Sequence, residues 1–321
     1  RTRARGGGPR MAAASGGPAA EATAAVVAKK LCLTSIASMC AEGATFPIDM
    51  AKTRLQLQGE ACRGGRQLGF LGTLGSVART EGVAGVYSGI TPAVARHIPY
   101  TGSRAIGYEY IRKLFCGEDP SRAPLWARAA SGMVAGGAAQ AIAVPFDLVK
   151  VRMMGDVRLV AAGELERPRY RGLWHAFSTI HRSEGLRGMY AGCAPAIQRA
   201  ALVNLGELTT YDTAKRYFVT HLGDSLGCHV CSAVCSGFFA SLCSTPADVA
   251  KSRIMNQTRG ADGSLMYTGT LDCWAKTVRR EGPLALYKGF SPGWMRLGPW
   301  QLVFWCTYEQ LRLATGVGGF R

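Results

Sequence analysis

Long unbroken hydrophobic runs are missing from this 321-residue sequence, although 48% of its residues are hydrophobic and only 18% are charged. None reaches the roughly 18 consecutive apolar residues that mark an easily recognised membrane-spanning helix. Two classes therefore remain open: a soluble all-helical protein, and a membrane protein whose helices face water on one side. Acidic residues are also scarce, with 21 Asp and Glu against 38 Lys and Arg, so the net charge is +17. This surplus favours anionic partners, namely nucleic acid, phospholipid headgroups or small anions.

Patterns typical of metal sites, disulfide frameworks and enzymes are missing too. The 11 cysteines are odd in number and scattered through apolar segments, which indicates free thiols in a reducing compartment. Cys228 and Cys231 stand on either side of His229 and Val230, but no second Cys/His pair has metal-ligand spacing. Small buried helix residues are therefore favoured here over a metal or redox centre. No nucleophile–base set or phosphate-binding loop stands out, so neither an enzyme nor a resident cofactor or metal is expected.

The sequence does contain one eight-residue pattern three times. PIDMAKTR begins at Pro47, PFDLVKVR at Pro145 and PADVAKSR at Pro246, at intervals of about 100 residues. Each copy follows a stretch of small and apolar residues, of a kind that lets helices pack closely in a membrane. The sequence therefore predicts one body made of three similar repeats.

Other residues recur in the same phase. Each repeat continues with Glu-Gly, then Tyr-x-Gly, then a helix with an arginine followed twelve positions later by a tyrosine. Each repeat thus predicts a long helix that ends at its proline motif, a loop, a short helix and a second long helix. The expected divisions are a disordered tail 1–28 and repeats 29–117, 122–222 and 225–316. Residues 1–10 precede Met11 and are left out of the fold prediction.

The recurring arginines are Arg96, Arg199 and Arg296. The twelve residues from Arg96 to Tyr108 span about 18 Å of helix, a little over half of a hydrocarbon core of about 30 Å. The arginines are therefore expected at a common depth near the middle. On an ideal straight helix Arg96 and Glu109 point roughly 140° apart, so a shared interior face requires a bend or a supercoil.

Each repeat also supplies acids and bases at both ends of its helix pair. Charges inside a membrane persist only where they face water or a partner. Three such sets at either end suggest two closed rings, in which the acid of one repeat pairs with the base of the next. Two rings around a basic midpoint suggest alternating access, with one ring paired while the other is open. Solvated helix ends on a soluble protein would not explain why these residues recur in phase.

The threefold P-x-D-x-x-K-x-R pattern, followed by Glu-Gly and Tyr-x-Gly, resembles the mitochondrial carrier family over about residues 29–316. The resemblance implies an all-α membrane protein of the mitochondrial inner membrane, with six transmembrane helices in a pseudo-threefold barrel and short matrix helices. It implies that the protein functions as a monomer, with the lipid bilayer and its cardiolipin as partners. It also implies two rings of acid–base pairs. We name them the proline-motif ring and the tyrosine-motif ring, after the motifs that supply their residues.

The proline-motif ring, on the matrix side, is implied to pair Asp49 with Lys150, Asp147 with Lys251 and Asp248 with Lys52. In the family a glutamine often braces this ring. Gln56 fits that role, but Met154 and Met255 occupy the matching positions, which predicts a weakly braced lock. The tyrosine-motif ring, on the cytoplasmic side, is implied to pair Glu109–Lys215, Asp212–Arg312 and Glu309–Arg112, braced by Tyr108, Tyr211 and Tyr308. Cardiolipin is implied at Gly172, Gly192, Gly269 and Gly289, whereas Gln67 replaces a tyrosine before Gly69.

Several residues resemble the uncoupling-protein branch of this family, and the stretches RAALVNLGELTTYDTAK and TPADVAKSRIMNQ resemble its brain-type members. In that branch, residues matching Arg96, Arg199, Arg296, Arg104, Asn204, Glu207 and Trp300 bind purine nucleotides. Glu42 stands where the branch carries a carboxylate linked to proton movement, and Glu207 is a second candidate. The alternative interpretations are helix packing for Glu42, neutralisation of Arg199 or Arg104 for Glu207, and core packing for Trp300.

The expected function is therefore a regulated proton leak, proton-coupled anion transport, or both. The resemblance implies a purine nucleotide as inhibitor and fatty acid as activator. Two alternatives stay open at this point. One is an obligate exchanger of small dicarboxylates or inorganic anions. The other is a basic RNA-binding helical protein, but its aromatic residues would stand exposed among Lys and Arg, whereas here they lie in apolar helices. No nucleic-acid partner is therefore expected.

Overall fold

The structure, a computed structural model, describes residues 18–57, 69–116, 125–161, 163, 165–222, 226–257 and 265–315. These residues form long helices joined by short ones, and no strand occurs among them. The helices are α1 Pro18–Leu57, α2 Phe70–Thr80, α3 Gly82–Val86, α4 Ile90–Ala95, α5 His97–Cys116, α6 Leu125–Ala161, α7 Leu173–Met189, α8 Cys193–Leu222, α9 Leu226–Asn256, α10 Thr270–Glu281, a 3₁₀ helix Pro283–Tyr287 and α11 Phe290–Thr315. The predicted order of long, short and long helices therefore occurs three times.

The six long helices close into a ring. Helix α5 packs against α6, α8 against α9, and the last helix α11 against the first helix α1. Helices α1, α6 and α9 also contact one another, which brings the three proline motifs together at one end of the ring. A single chain therefore completes the ring.

The three prolines do not end their helices, which corrects the sequence prediction. Pro47, Pro145 and Pro246 lie inside α1, α6 and α9. A proline lacks an N–H, so it removes one intrahelical hydrogen bond and bends a helix without necessarily ending it. Because each helix continues, the Asp and Lys of its motif lie on helical backbone rather than in a loop.

Helix α1 also begins earlier than predicted. It starts at Pro18, within the stretch 1–28 that was expected to be a disordered tail. The residues that follow Pro18 are mostly alanine, the strongest helix former, and proline is well suited to a first helical position. Helix propensity therefore explains this difference without any tertiary contact.

Large apolar side chains are exposed along several of the long helices. Examples are Ile106 and Leu114 on α5 and Leu302 and Trp305 on α11, each more than half exposed. Soluble proteins rarely expose apolar patches of this kind, whereas lipid covers them in a membrane. Within the described ranges, two segments are long and apolar enough to cross a bilayer, Ala28–Leu57 and Ala130–Val160.

The arginine of each proline motif joins the short helices to the ring, a contact that the sequence analysis missed. Arg152 donates from Nη1 and Nη2 to the two carboxylate oxygens of Glu184, at 2.6 and 2.8 Å. The pairs Arg54–Glu81 and Arg253–Glu281 have the same bidentate form. Such paired hydrogen bonds between charged groups are both directional and strong. The Glu-Gly motif therefore anchors each short helix on the long helix of its own repeat.

One of these anchors predicts a pH-dependent stability. Burial raises the pKa of Glu281, but hydrogen bonds from Arg253 and Lys288 outweigh it and hold that pKa below its ordinary value of 4.5. A carboxylate with a depressed pKa stabilises the fold above its unfolded-state pKa, and this contribution disappears as pH falls through the folded-state value. We expect Glu281→Gln to lower the unfolding temperature in detergent at pH 7 and to reduce the loss of stability that acidification below 4.5 causes.

Asp272 provides the matched control for this prediction. Hydrogen bonds from Lys276 and from the backbone N–H of Thr268 also lower the pKa of its carboxyl group, but the group is solvent-exposed. Exposed ion pairs contribute little to stability. Asp272→Asn should therefore leave the unfolding temperature nearly unchanged, and equal losses in the two variants would contradict the prediction.

Candidate functional site

The proline-motif ring is paired in the structure. Lys52 Nζ lies 2.7 Å from Asp248 Oδ2, and Lys251 Nζ lies 2.7 Å from Asp147 Oδ2. Lys150 contacts Asp49 through Nζ and Oδ2. All three carboxylates are buried. These are the pairs that the family resemblance implies, and they join α1, α6 and α9 into one closed layer.

Each arginine of the triad, Arg96, Arg199 and Arg296, reaches a carboxylate of that ring. Arg96 Nε lies 3.4 Å from Asp147 Oδ1, and Arg296 Nε lies 3.6 Å from Asp49 Oδ1. Arg199 contacts Asp248 in the same way, through Nε and Oδ1. In all three cases the lysine binds Oδ2 and the arginine binds Oδ1. The common level expected for the arginines therefore lies directly against the ring, and any ligand of the triad competes with the ring carboxylates.

Glu42 gives the first repeat an acid that the other repeats lack. It precedes the ring aspartate by seven positions, where the second and third repeats have Gln140 and Ser241. Its side chain is 3% exposed. Oε1 accepts a hydrogen bond from Lys150 Nζ at 2.9 Å, and Oε2 lies 3.4 Å from Arg296 Nη1. The ring lysine Lys150 is therefore shared between two carboxylates.

Gln140 takes the corresponding place in the second repeat but remains neutral. Its Nε2 donates to Asp147 Oδ2 at 2.9 Å. The ring, the triad and Glu42 together hold four carboxylates and six cationic side chains. With all of them ionised, the layer carries two net positive charges. This layer can therefore accept an anion, and protonation of Glu42 would add one further positive charge.

Gln56, the glutamine expected to brace the proline-motif ring, is bonded to a serine of a neighbouring helix. Gln56 Oε1 accepts a hydrogen bond from Ser252 Oγ at 2.7 Å, so it links α1 to α9 beside the Lys52–Asp248 pair. Met154 and Met255 are fully buried at the matching positions. Their side chains pack there, so Gln56 is the one glutamine among the three brace positions.

In the tyrosine-motif ring, the contacts described for Glu309 and Arg112 lie within single helices. Glu309 pairs with Arg312, three residues along the same helix, and not with Arg112. Arg112 lies over the ring of Tyr108, its neighbour on α5, at 6.0 Å. Glu109 is exposed. Neighbours on one helix can pair without any closure of the barrel, which explains the local contacts at this end.

Two further members of this ring, Tyr211 and Lys215, are half-buried on α8, and Tyr308 is buried against Leu33 and Ala37 of α1. The side chain of Asp212 lies outside the described residues, so the predicted Asp212–Arg312 pair cannot be placed. The closed layer of ion pairs described between α1, α6 and α9 lies at the proline-motif end.

The remaining predicted ligand residues divide into three groups. Arg104 is exposed on α5. Trp300 stacks on Phe304 with ring centroids 5.3 Å apart, and Phe304 stacks on Tyr308 in turn, so its described contacts are packing contacts along α11. The side chains of Asn204 and Glu207 lie outside the described residues, so their predicted roles are untouched by the geometry.

A cleft opens beside the triad. Arg199, Arg296, Lys52 and Asp248 line its polar side. Apolar groups from α8, α9 and α11 complete it, among them Val203, Ala240, Phe290 and Leu297. A cleft with three cations and one carboxylate on its wall is suited to a small anion. Elsewhere among the described residues, no cluster of His, Cys, Asp and Glu could hold a metal ion.

The four predicted cardiolipin glycines fall into two structural classes. Gly172 and Gly269 immediately precede α7 and α10 in extended conformations, with open space around them. Gly192 and Gly289 have φ of +81° and +83° and pack against the ring helices of the next repeat. Residues other than glycine rarely adopt such φ values. The second pair therefore positions the ring, whatever lipid lies nearby.

This division predicts unequal effects of alanine substitution. In Gly192→Ala a Cβ would stand 2.7 Å from Met255 Cγ, and the left-handed backbone alone costs about 1–2 kcal/mol. We expect a clearly lower unfolding temperature in detergent. Gly172→Ala is the matched control, because its φ of 167° suits any residue and a Cβ there would meet nothing within 4 Å. Equal losses for the two variants would contradict the division.

Comparisons with known proteins agree with this architecture. Residues 24–119, 121–222 and 223–316 each match the family described as mitochondrial carrier protein. Mitochondrial uncoupling protein 3 of Arabidopsis thaliana is 44% identical over 297 residues, which cover 91% of this chain and 95% of that protein. Mitochondrial uncoupling protein 4C of Drosophila melanogaster is 39% identical, with 89% and 88% covered. A putative mitochondrial transporter UCP3 of Homo sapiens is 38% identical, with 87% and 89% covered.

Proposed function

The chain belongs to the mitochondrial carrier family, as a carrier of uncoupling-protein type in the mitochondrial inner membrane, and on this premise we propose that it carries a small anion together with a proton by alternating access. Proteins of this family are transporters, and the similarity to uncoupling proteins supports this function over an obligate exchanger. The observation that carries the proposal is the contact between each triad arginine and a ring carboxylate of the next repeat.

The contact supplies a mechanism for opening the ring. A ligand shifts a conformational equilibrium only through its different affinity for the two states. An anion that binds Arg96, Arg199 and Arg296 withdraws them from Asp147, Asp248 and Asp49. Each aspartate then keeps only its lysine, and the closed layer loses half of its charge pairs. Anion binding thus weakens the ring, which we place on the matrix side.

Glu42 supplies the link to protons. While ionised, it holds Lys150 at 2.9 Å and Arg296 at 3.4 Å. Protonation removes its negative charge, so both cations become available to the anion and the layer gains one positive charge. An anion and a proton therefore favour each other at this site. A net proton leak results when the anion crosses without the proton and returns in a protonated, membrane-permeant form, as a fatty acid would.

We also propose the finer partners of this carrier. A purine nucleotide has phosphates that match the triad, and its occupation of the cleft would block the cycle. The N-termini of α7 and α10, with Gly172 and Gly269 in open space, support cardiolipin phosphate binding. Closure of the ring by α11 against α1 within one chain supports a functional monomer.

The test uses the purified protein in liposomes. We expect sulfate uptake to accelerate when the outside is acidified, and Glu42→Gln to abolish this acceleration while sulfate still binds. Proton flux with laurate, measured with and without a purine nucleotide, tests the leak in the same vesicles. Sulfate exchange that moves no protons in the wild type, with or without laurate, would overturn the proposal. Arg187→Gln, an exposed change on α7, serves as the control.

A further inference from the structure

Two departures from the threefold pattern meet in space. The residue after the triad arginine is His97 in the first repeat, but Ala200 and Leu297 in the others. The acid seven positions before the ring aspartate also occurs only in the first repeat, as Glu42. The two lie on different helices, α5 and α1, yet His97 Nε2 stands 3.9 Å from Glu42 Oε2. Both residues depart from the threefold pattern and lie side by side, which indicates that Glu42 and His97 share a role.

His97 is buried in a position that leaves one of its ring nitrogens without a hydrogen-bond partner. Its side chain is buried, at 5% exposure, and Nε2 has no hydrogen-bond partner in the described structure. A buried imidazole nitrogen without a partner carries a free-energy cost of about 1–3 kcal/mol. Nε2 faces the same carboxylate oxygen that Arg296 Nη1 approaches at 3.4 Å. His97 and Arg296 therefore compete for Oε2 of Glu42.

The charged groups around this pair come from each packed element. They are Glu42 and Asp49 on α1, Arg96 immediately before α5, Lys150 on α6 and Arg296 on α11. Three basic side chains, His97, Lys150 and Arg296, lie within 4 Å of Glu42. Of these residue types, histidine is the one that commonly exchanges protons near neutral pH. Lysine and arginine stay charged there, so they stabilise the carboxylate but exchange no proton with it.

We propose that His97 is the proton-exchanging partner of Glu42, through Nε2 and Oε2, in the cycle on which the proposed function rests. A proton enters on His97, whose imidazolium binds Oε2 in place of Arg296. The proton then passes from Nε2 to Oε2, so that the imidazolium becomes imidazole and the carboxylate becomes a carboxylic acid. Arg296 and Lys150 are released from Glu42 in this step and keep only Asp49, so the anion can bind them. The return transfer reverses both changes and restores the closed ring.

The experiment measures proton uptake when sulfate binds to the purified carrier. Sulfate is a suitable probe because it has no titrating proton near neutral pH. Calorimetry in two buffers of different ionisation enthalpy gives the number of protons taken up. We expect uptake near pH 7 in the wild type, loss of uptake in Glu42→Gln, and loss or displacement of the pH profile in His97→Ala, with sulfate binding retained at pH 8. Alanine is the residue that the second repeat carries at this position.

Two controls make the outcomes distinct. His181→Ala removes an exposed histidine of α7 and should leave the profile unchanged. His97→Gln keeps a polar side chain of similar size and serves where His97→Ala unfolds at a lower temperature. Unchanged proton uptake in both His97 variants would overturn the role of His97 and leave the proposed function standing. Sulfate binding without proton uptake in the wild type would overturn the proposed function itself.

Discussion

Replacing Arg199 with glutamine is expected to weaken anion binding by about tenfold to a hundredfold. A hydrogen bond to a charged group contributes about 1.5–3 kcal/mol, and about 1.4 kcal/mol corresponds to a tenfold change in affinity. Arg199 is the best placed of the triad to meet an anion. Its side chain is 35% exposed, against 23% for Arg96 and 22% for Arg296, and it lines the cleft together with Arg296.

The fold should survive this change. Asp248, the ring carboxylate that Arg199 contacts, keeps Lys52 at 2.7 Å and so remains paired. The measurement is calorimetric titration with sulfate and, separately, with a purine nucleotide, alongside the unfolding temperature of each variant. Arg187→Gln removes the same charge from an exposed position on α7 and should leave both affinities unchanged. An unchanged affinity in Arg199→Gln would remove Arg199 from the site.

The element order could be predicted because it depends on spacing alone. Asp49, Lys150 and their counterparts recur at a nearly constant interval, which predicts a ring, and the resemblance to the family implied which acid pairs with which base. The ends of the helices were harder to predict from the sequence. A proline often ends a helix, and the sequence does not distinguish an ending from a bend. Pro47 lies inside α1, which continues to Leu57 and packs against α6 and α9.

The contact between the triad and the ring could not be predicted from a straight helix. Arg96 stands at a break between α4 and α5, three residues before Pro99. Pro99 has no N–H to donate to the carbonyl of Ala95, so one intrahelical hydrogen bond is missing there, while Arg96 itself keeps helical φ and ψ of −57° and −33°. Pro299 stands three residues after Arg296 in the same way, yet α11 continues without a break, as α8 does through Arg199. The contacts of the triad with the ring therefore depend on how the helices pack together, which a single helix does not show.

The meeting of Glu42 and His97 could be found only in three dimensions. Each residue has an ordinary explanation by itself, as a packed acid and as a buried histidine. The available signal was a comparison of the three repeats position by position. At the position of Glu42 the other two repeats carry Gln140 and Ser241, and at the position of His97 they carry Ala200 and Leu297. Their proximity depends on how α5 lies against α1, which no single spacing encodes.

Replacing Lys150 with methionine is expected to destabilise the carrier more than the same change at Lys52. Lys150 holds two buried carboxylates, Glu42 and Asp49, whereas Lys52 holds only Asp248. Removing one partner of a buried ion pair costs about 3–5 kcal/mol, because a charge is left uncompensated. In Lys150→Met two acids would share Arg296, at 3.4 and 3.6 Å. Unfolding temperatures in detergent without anion give the comparison, and equal losses would contradict it.

A second change should reverse much of this loss. Glu42→Gln removes the extra acid, so in the Lys150→Met background Asp49 keeps Arg296 to itself. The double-mutant cycle is then expected to show a coupling of about 0.5–3 kcal/mol, as found for residues in one ionic network. Gln140→Ala is the matched change in the second repeat, since it removes a neutral partner of Asp147 and should not couple to Lys150. Additive losses in the Glu42–Lys150 cycle would mean that Glu42 does not hold the ring, and a proton on Glu42 would then have no means of opening it.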